Sequence, residues 1–153
     1  MKVIFLDIDG VLNSVKTVYR SGFDFIDPVL VSLLSDIVKA TGSEIVLSST
    51  WRLCDKDLNL VKNALYEYNM SLIGITPYMS SRNVEIREWM VGKAVLKFAI
   101  LDDMKEAGIG FGDNFFRTDE SMGLTVEIAE AVIKHLGVQP TGETNVVLEP
   151  QKL

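Results

Sequence analysis

Five short apolar runs, at residues 2–6, 44–47, 71–75, 95–101 and 114–117, constrain the fold of this 153-residue chain more than any other feature. Each is too short for a stable helix and is bounded by turn-forming or polar residues, so it reads as a strand. Hairpin partners would follow one another after a tight turn. Here about a dozen or more residues intervene, the length that a crossover between parallel strands requires. The pattern predicts an α/β fold: a Rossmann-like open, mostly parallel sheet with helices on both faces.

The intervening segments carry helix signals of their own. Asp27-Pro28 supplies an N-cap acid and a proline at the first helical position, and Leu30, Leu33, Leu34, Ile37 and Val38 then recur on one face up to Gly42. Asp55 or Asp57 can cap a helix carrying Leu58, Val61, Leu65 and Tyr68, while Ile86, Trp89 and Met90 mark a shorter one that stops by Gly92. Thr125 opens a last helix to Leu136, with His135 in its final turn as a dipole-complementing or exposed residue. Residues 13–25, polar and aromatic around Ser21-Gly22, read as a small hairpin or irregular flap. A length near 150 fits one domain, placed at 1–137, followed by a tail at 138–153 that is polar apart from Val146-Val147-Leu148.

Composition narrows the function classes. Fifteen Lys+Arg against 21 Asp+Glu give a net charge of −6. That argues against a passive nucleic-acid coat, whose face must be basic, but not against an enzyme acting on a nucleic-acid end. No stretch approaches the ~18 apolar residues of a spanning helix, so neither a membrane segment nor a signal peptide is expected. The lone Cys54 precludes an intramolecular disulfide and points to a reducing, cytoplasmic location, the thiol itself being structural.

Polar residues cluster where such a sheet binds ligands, at the carboxyl ends of strands near the point where strand order reverses. Asp7 and Asp9 follow the first run, Ser48-Ser49-Thr50-Trp51-Arg52 the second and Asp102-Asp103 the fourth. In a continued strand Asp7 and Asp9, two apart, would project to the same side. Carboxylates that close repel one another unless a cation or proton intervenes. An oxygen-only set without a Cys/His pair suits Mg²⁺ rather than Zn²⁺. Mg²⁺ is therefore the expected cofactor, with Asp7, Asp9, Asp102 and Asp103 as its candidate ligands.

The run Val3-Ile4-Phe5-Leu6-Asp7-Ile8-Asp9-Gly10-Val11-Leu12-Asn13 resembles the first motif of the haloacid dehalogenase (HAD) superfamily, an Asp-x-Asp pair after the first strand. Ile45-Val46-Leu47-Ser48-Ser49 resembles the second, a strand ending in Ser or Thr, and Ile100-Leu101-Asp102-Asp103 the fourth. Ser48-Ser49-Thr50-Trp51-Arg52, Leu101-Asp102-Asp103-Met104 and Gly123-Leu124-Thr125 further resemble the small HAD domains associated with RNA-repair proteins. The resemblance implies a phosphomonoesterase that works through an aspartyl-phosphate. Asp7 would be the nucleophile and a metal ligand. Asp9 would be the general acid and then the base, its backbone carbonyl a further ligand. Asp102 and Asp103 would complete the metal shell, Asp102 directly. Ser49 would hold the phosphoryl oxygens, with Ser48 close behind; Ser48 and Thr50 can equally cap the strand–helix junction. For the third motif, a Lys or Arg beside the nucleophile, Arg82 comes first, ahead of Arg87, Lys93 and Lys97.

The gap from Asn13 to Asp27 leaves room only for a flap, and that from Leu53 to Ser81 only for core elements, so the resemblance is to a capless member. An open site resembles those of family members that act on macromolecular phosphates such as RNA or DNA ends or phosphoproteins; a nucleotide or another small phosphomonoester is the competing substrate. Lys16, Arg20, Arg52 and Arg82 could line a groove for a polyanion, and Tyr19, Phe23 or Trp51 could stack on a base or simply pack. Ser48, Thr50, Trp51 and Arg52 are thus the candidate substrate-binding residues. Two non-enzymatic readings compete. A receiver domain also gathers acids at strand ends, but in the reverse motif order, whereas an inactive HAD-like interaction domain would share every motif quoted.

Overall fold

In the computed structural model, which describes residues 1–140, the five apolar runs form one parallel sheet. Its strands are β1 (Lys2–Leu6), β2 (Glu44–Leu47), β3 (Leu72–Ile75), β4 (Lys97–Asp102) and β5 (Phe115–Arg117), in the order β3-β2-β1-β4-β5. From β1 the chain builds one wing, β2 then β3, and crosses to the other side of β1 to build β4 and β5. The order reverses between β1 and β4, so the crevice that a doubly wound sheet offers to ligands opens at their carboxyl ends.

Alternation along the strands sets the two faces. Ile4, Leu6, Ile45, Leu47 and Leu101 pack against α2 (Pro28–Thr41), α3 (Asp55–Tyr66) and α5 (Val126–Leu136) through buried Leu34, Ile37, Val61, Leu65 and Val132. Val3, Phe5, Val46 and Ile100 turn the other way, onto Ile86 and Trp89 of α4 (Arg82–Met90). Phe5 meets Trp89 and Phe98 edge-on, with ring centroids 5.7 and 6.0 Å away. The same period of two carries one step past the strands. Asp7 follows Val3 and Phe5, Ser48 follows Val46, and Asp102 follows Ile100, so all three belong to the α4 face.

Most helix limits are those that local chemistry dictates. The Asp27 carboxylate accepts from the Val29 N–H at 3.0 Å with Pro28 at the first position, and α2 closes on Gly42 at φ 71°, where a side chain would be strained. Residues 13–25 depart from expectation: they hold a helix, α1 (Val15–Ser21), not a hairpin or irregular flap. A capping box forms it, Ser14 Oγ accepting from the Thr17 N–H and Thr17 Oγ1 from the Ser14 N–H. No residue of α1 is buried, so it lacks the inward apolar stripe that marks the other helices, and Ser21-Gly22 ends a helix instead of turning a hairpin.

The exposed Cys54 is the N-cap of α3, and Asp55 and Asp57 sit in its first turn, where they complement the helix dipole. His135 is half-buried, its Nε2 lying 3.1 Å from the Phe98 carbonyl and 3.0 Å from Asn114 Oδ1, so it ties α5 to β4. At the start of the tail the Gln139 N–H donates to the Ala40 carbonyl at 2.9 Å, while Val146-Val147-Leu148 lies outside the described residues. No helix among the described residues is long and apolar enough to cross a membrane.

Candidate active site

Sheet pairing extends beyond the strands and fixes the site's backbone. The Asp7 N–H donates to the Leu101 carbonyl at 3.0 Å, Ser48 to Leu6 at 2.9 Å, Thr76 to Leu47 at 3.0 Å and Thr118 to Asp102 at 3.0 Å. Thr76, Ser48, Asp7 and Asp102 therefore continue one cross-strand row. Asp7 and Asp102 are buried at its centre.

Arg82, the first residue of α4, reaches into this row. One Nη1 lies 2.8 Å from Asp102 Oδ2 and 3.2 Å from Asp7 Oδ2. The other oxygen of Asp102 accepts the Met104 N–H at 2.9 Å. Asp7, Asp102 and Asp103 each place a carboxylate oxygen within 4.8 Å of the others. Burial, and then repulsion from Asp102, pushes the Asp7 carboxyl well above the usual 3.8, against the pull of Arg82. Burial also raises Asp103, opposed by its hydrogen bond with Asp7. For Arg82, burial works against the charged form, but the attraction of Asp7 and Asp102 overcomes it and the pKa rises. An oxygen-only, anionic triad of this size fits a hard divalent cation, whose charge would relieve the repulsion inside it.

Asp9 stands apart from that cluster. β1 ends at Leu6 and the chain turns at Gly10, so the continued-strand geometry that would align Asp9 with Asp7 does not hold. Three carboxylates converge, not four. The exposed Asp9 carboxylate accepts from Asn13 Nδ2 at 3.0 Å on one oxygen and from Trp51 Nε1 at 3.1 Å on the other. Asn13 also accepts the Gly10 N–H at 3.0 Å and donates to the Phe25 carbonyl at 3.1 Å, while Thr118 Oγ1 donates to the Gly10 carbonyl at 2.6 Å. Gly10 has φ +79°, and a Cβ there would meet Asp103 Oδ2 at 2.5 Å, so only glycine fits between the first and fourth motifs.

The second motif separates into different roles. Ser49 Oγ accepts the Trp51 N–H at 3.2 Å, capping a single 3-10 turn over Thr50–Leu53. Ser48 Oγ is fully buried and has no hydrogen-bond partner. Thr50 is exposed, and Trp51, only 6% exposed, packs and holds Asp9, so it offers no stacking face. Arg52 is corrected outright. Its guanidinium is buried and committed to the protein: Nε to the Thr76 carbonyl at 2.8 Å, Nη1 to Ser48 and Ser49 carbonyls at 3.2 and 2.8 Å, and Nη2 to Pro77 at 3.1 Å and Glu85 Oε1 at 3.0 Å. It cannot reach a substrate.

Among the third-motif candidates only Arg82 reaches the acids. Arg87 lies over the Phe111 ring at 4.6 Å, Lys93 over Trp89 at 4.4 Å, and Lys97 begins β4, at the amino end of the strand and away from the acids at its carboxyl end. With Arg52 buried against Glu85 and Arg82 half-buried against Asp7 and Asp102, the basic groove expected from Lys16, Arg20, Arg52 and Arg82 is not assembled. Lys16 and Arg20 remain as exposed residues of α1. Sequence reasoning passed over Glu85, Thr118 and the clamping role of Asn13, since each acts through a partner from another element. Only Asn13, at the end of the first motif, stood next to a visible signal.

No curated protein matches the chain. Residues 3–129 match the family model described as the HAD domain in Swiss Army Knife RNA repair proteins. Among the described residues that stretch contains all of the sheet except Lys2, the first residue of β1, together with the acid cluster, and the chain belongs to this family of HAD domains.

Proposed function

We propose that the chain is a Mg²⁺-dependent phosphomonoester hydrolase of the HAD type, acting in the cytoplasm on a nucleic-acid terminal phosphate or a nucleotide. The observation that carries this reading is the buried Asp7 carboxylate held 3.2 Å from Arg82 within the Asp7, Asp102 and Asp103 cluster. A fixed carboxylate beside a fixed cation is what in-line attack on a phosphoryl group needs. The family's description as a domain of RNA repair proteins supports a nucleic-acid phosphate as substrate.

In this mechanism an Asp7 oxygen attacks phosphorus and the bond to the leaving oxygen breaks, giving an aspartyl-phosphate. Asp9 gives its proton to the leaving oxygen, then takes one from the water that attacks phosphorus, releasing inorganic phosphate and restoring Asp7. Asn13 and Trp51 hold Asp9 for both steps. Arg82 balances charge on the phosphoryl oxygens. Ser49, whose oxygen accepts from Trp51, has its own proton available for a phosphoryl oxygen; the unpartnered Ser48 hydroxyl in the row of Asp7 competes for that role. Asp7, Asp102, Asp103 and the Asp9 carbonyl would hold Mg²⁺, which supplies further positive charge to the phosphoryl group.

The test is hydrolysis of a chromogenic phosphate, a nucleoside monophosphate and oligonucleotides with 3′- or 5′-phosphates, with Mg²⁺ and with EDTA. Turnover should require Mg²⁺, and Arg82→Met should lower kcat by about 10²–10³-fold. Activity that survives EDTA overturns the reading, and inactivity on every ester supports an interaction domain instead.

Metal binding also has a signature in stability. Asp7 and Asp103 are raised above 3.8 in the folded protein. At a pH above about 4 the unfolded chain has lost these protons while the folded one keeps them, so metal-free stability falls as pH climbs through the raised values. Mg²⁺ binds the ionised acids, and its stabilisation grows over the same window. The Tm difference between Mg²⁺ and EDTA should therefore be wider near pH 8 than near pH 5. A difference independent of pH would remove the triad as the metal site.

A further inference from the structure

Helix α1 and the turn that follows it expose aromatic side chains, Tyr19 and Phe23, to a cleft rather than to the core. Tyr19 is 91% and Phe23 87% exposed, and with Val15 and Val18 they wall a cleft of about 390 Å³. The opposite wall is Asp9, Gly10, Asn13 and Asp103, so the cleft begins at the residues placed above at the reacting phosphoryl group. Resting on the phosphomonoesterase reading, we infer that this cleft binds the aromatic base of the nucleoside whose phosphate is removed, between Tyr19 and Phe23.

The position of the leaving oxygen, the size of the cleft and its charge select that occupant. The proton from Asp9 goes to the leaving oxygen, so whatever that oxygen carries starts at Asp9 and must enter the cleft Asp9 lines. The volume is within the range of small-molecule sites, and exposed aromatic side chains on a mostly apolar wall are the usual platform for a base. Charge favours a neutral occupant over a polyanionic strand: Glu120 lines the cleft beside Asp9 and Asp103, and no described lining residue is Lys or Arg. A neutral, flat group suits that lining better than a second phosphate does. Tyr19 and Phe23 thus determine specificity without touching the phosphoryl group.

The experiment compares esters that differ in the base. Adenosine 5′-monophosphate is paired with ribose 5-phosphate, and adenosine 3′-monophosphate with glycerol 2-phosphate. In the wild type at least one nucleotide should exceed its partner in kcat/KM by about tenfold or more, mainly through KM, and Tyr19→Ala with Phe23→Ala should bring that ratio toward one. Binding of adenosine itself, followed by ligand-observed NMR, should weaken in the double variant. Active protein with a ratio near one, or a ratio unchanged by the double variant, overturns the inference and leaves the phosphatase reading standing. Protein inactive on all esters that still binds adenosine through Tyr19 and Phe23 overturns the phosphatase reading and keeps the base cleft. Inactive protein that does not bind adenosine overturns both.

Discussion

Replacing Asp7 by Asn is expected to lower turnover of every phosphomonoester by at least about 10³-fold while leaving the metal-free protein as stable as before or more so. The first part follows from the role proposed for Asp7, since an amide cannot form the acyl-phosphate. The second follows from the geometry. Asp7 is buried beside Asp102, and both its burial and that neighbour resist its charge. Asn keeps the size and removes the charge, and Arg82 retains its closer partner, Asp102 at 2.8 Å. Rate and melting temperature should move independently, as they do where a site holds groups that function needs and folding does not. Turnover above about a tenth of wild type would reassign the nucleophile.

Arg52→Met should have the opposite signature, a loss of about 3–5 kcal/mol of stability by denaturant titration, because Glu85 stays buried without its cation. Four backbone carbonyls, of Ser48, Ser49, Thr76 and Pro77, lose their donor as well. Those carbonyls belong to the loops after β2 and β3, and Glu85 lies one turn along α4 from Arg82. Arg52 is the clamp that sets the start of α4 against the sheet edge. Replacing Glu85 by Leu in the same protein should recover part of the loss, since an apolar pair leaves no buried charge. A loss below about 1 kcal/mol accompanied by a raised KM would return Arg52 to substrate binding.

The contrast between the two arginines marks where sequence stopped being informative. Asp27-Pro28, Gly42 and the acid pairs at strand ends were legible because each acts on the few residues beside it. The alternation of strands and helices was legible because each run buries a face, whatever its partner. Arg52 was not, because its partner Glu85 comes from a helix on the far side of β3, and only the folded sheet brings them together. Asp9 was misplaced because a period of two holds only while the strand lasts. Helix α1 was missed because the core does not use it, which left hydrophobic spacing with nothing to report.

The row of amide bonds that runs past the strand ends has a wider meaning. Asp7 and Asp102 hang from the central strands themselves, so freeing Asp7 requires breaking the pairing of β1 with β4, the event that melts the domain. Helix α1, which has no buried residue and is tied across the chain by the Val15 N–H on the Glu120 carbonyl at 2.9 Å, carries no such obligation. On the function and base cleft proposed above, substitutions in α1 should change which molecule is drawn in without disturbing the geometry at phosphorus, so recognition can be altered apart from reaction.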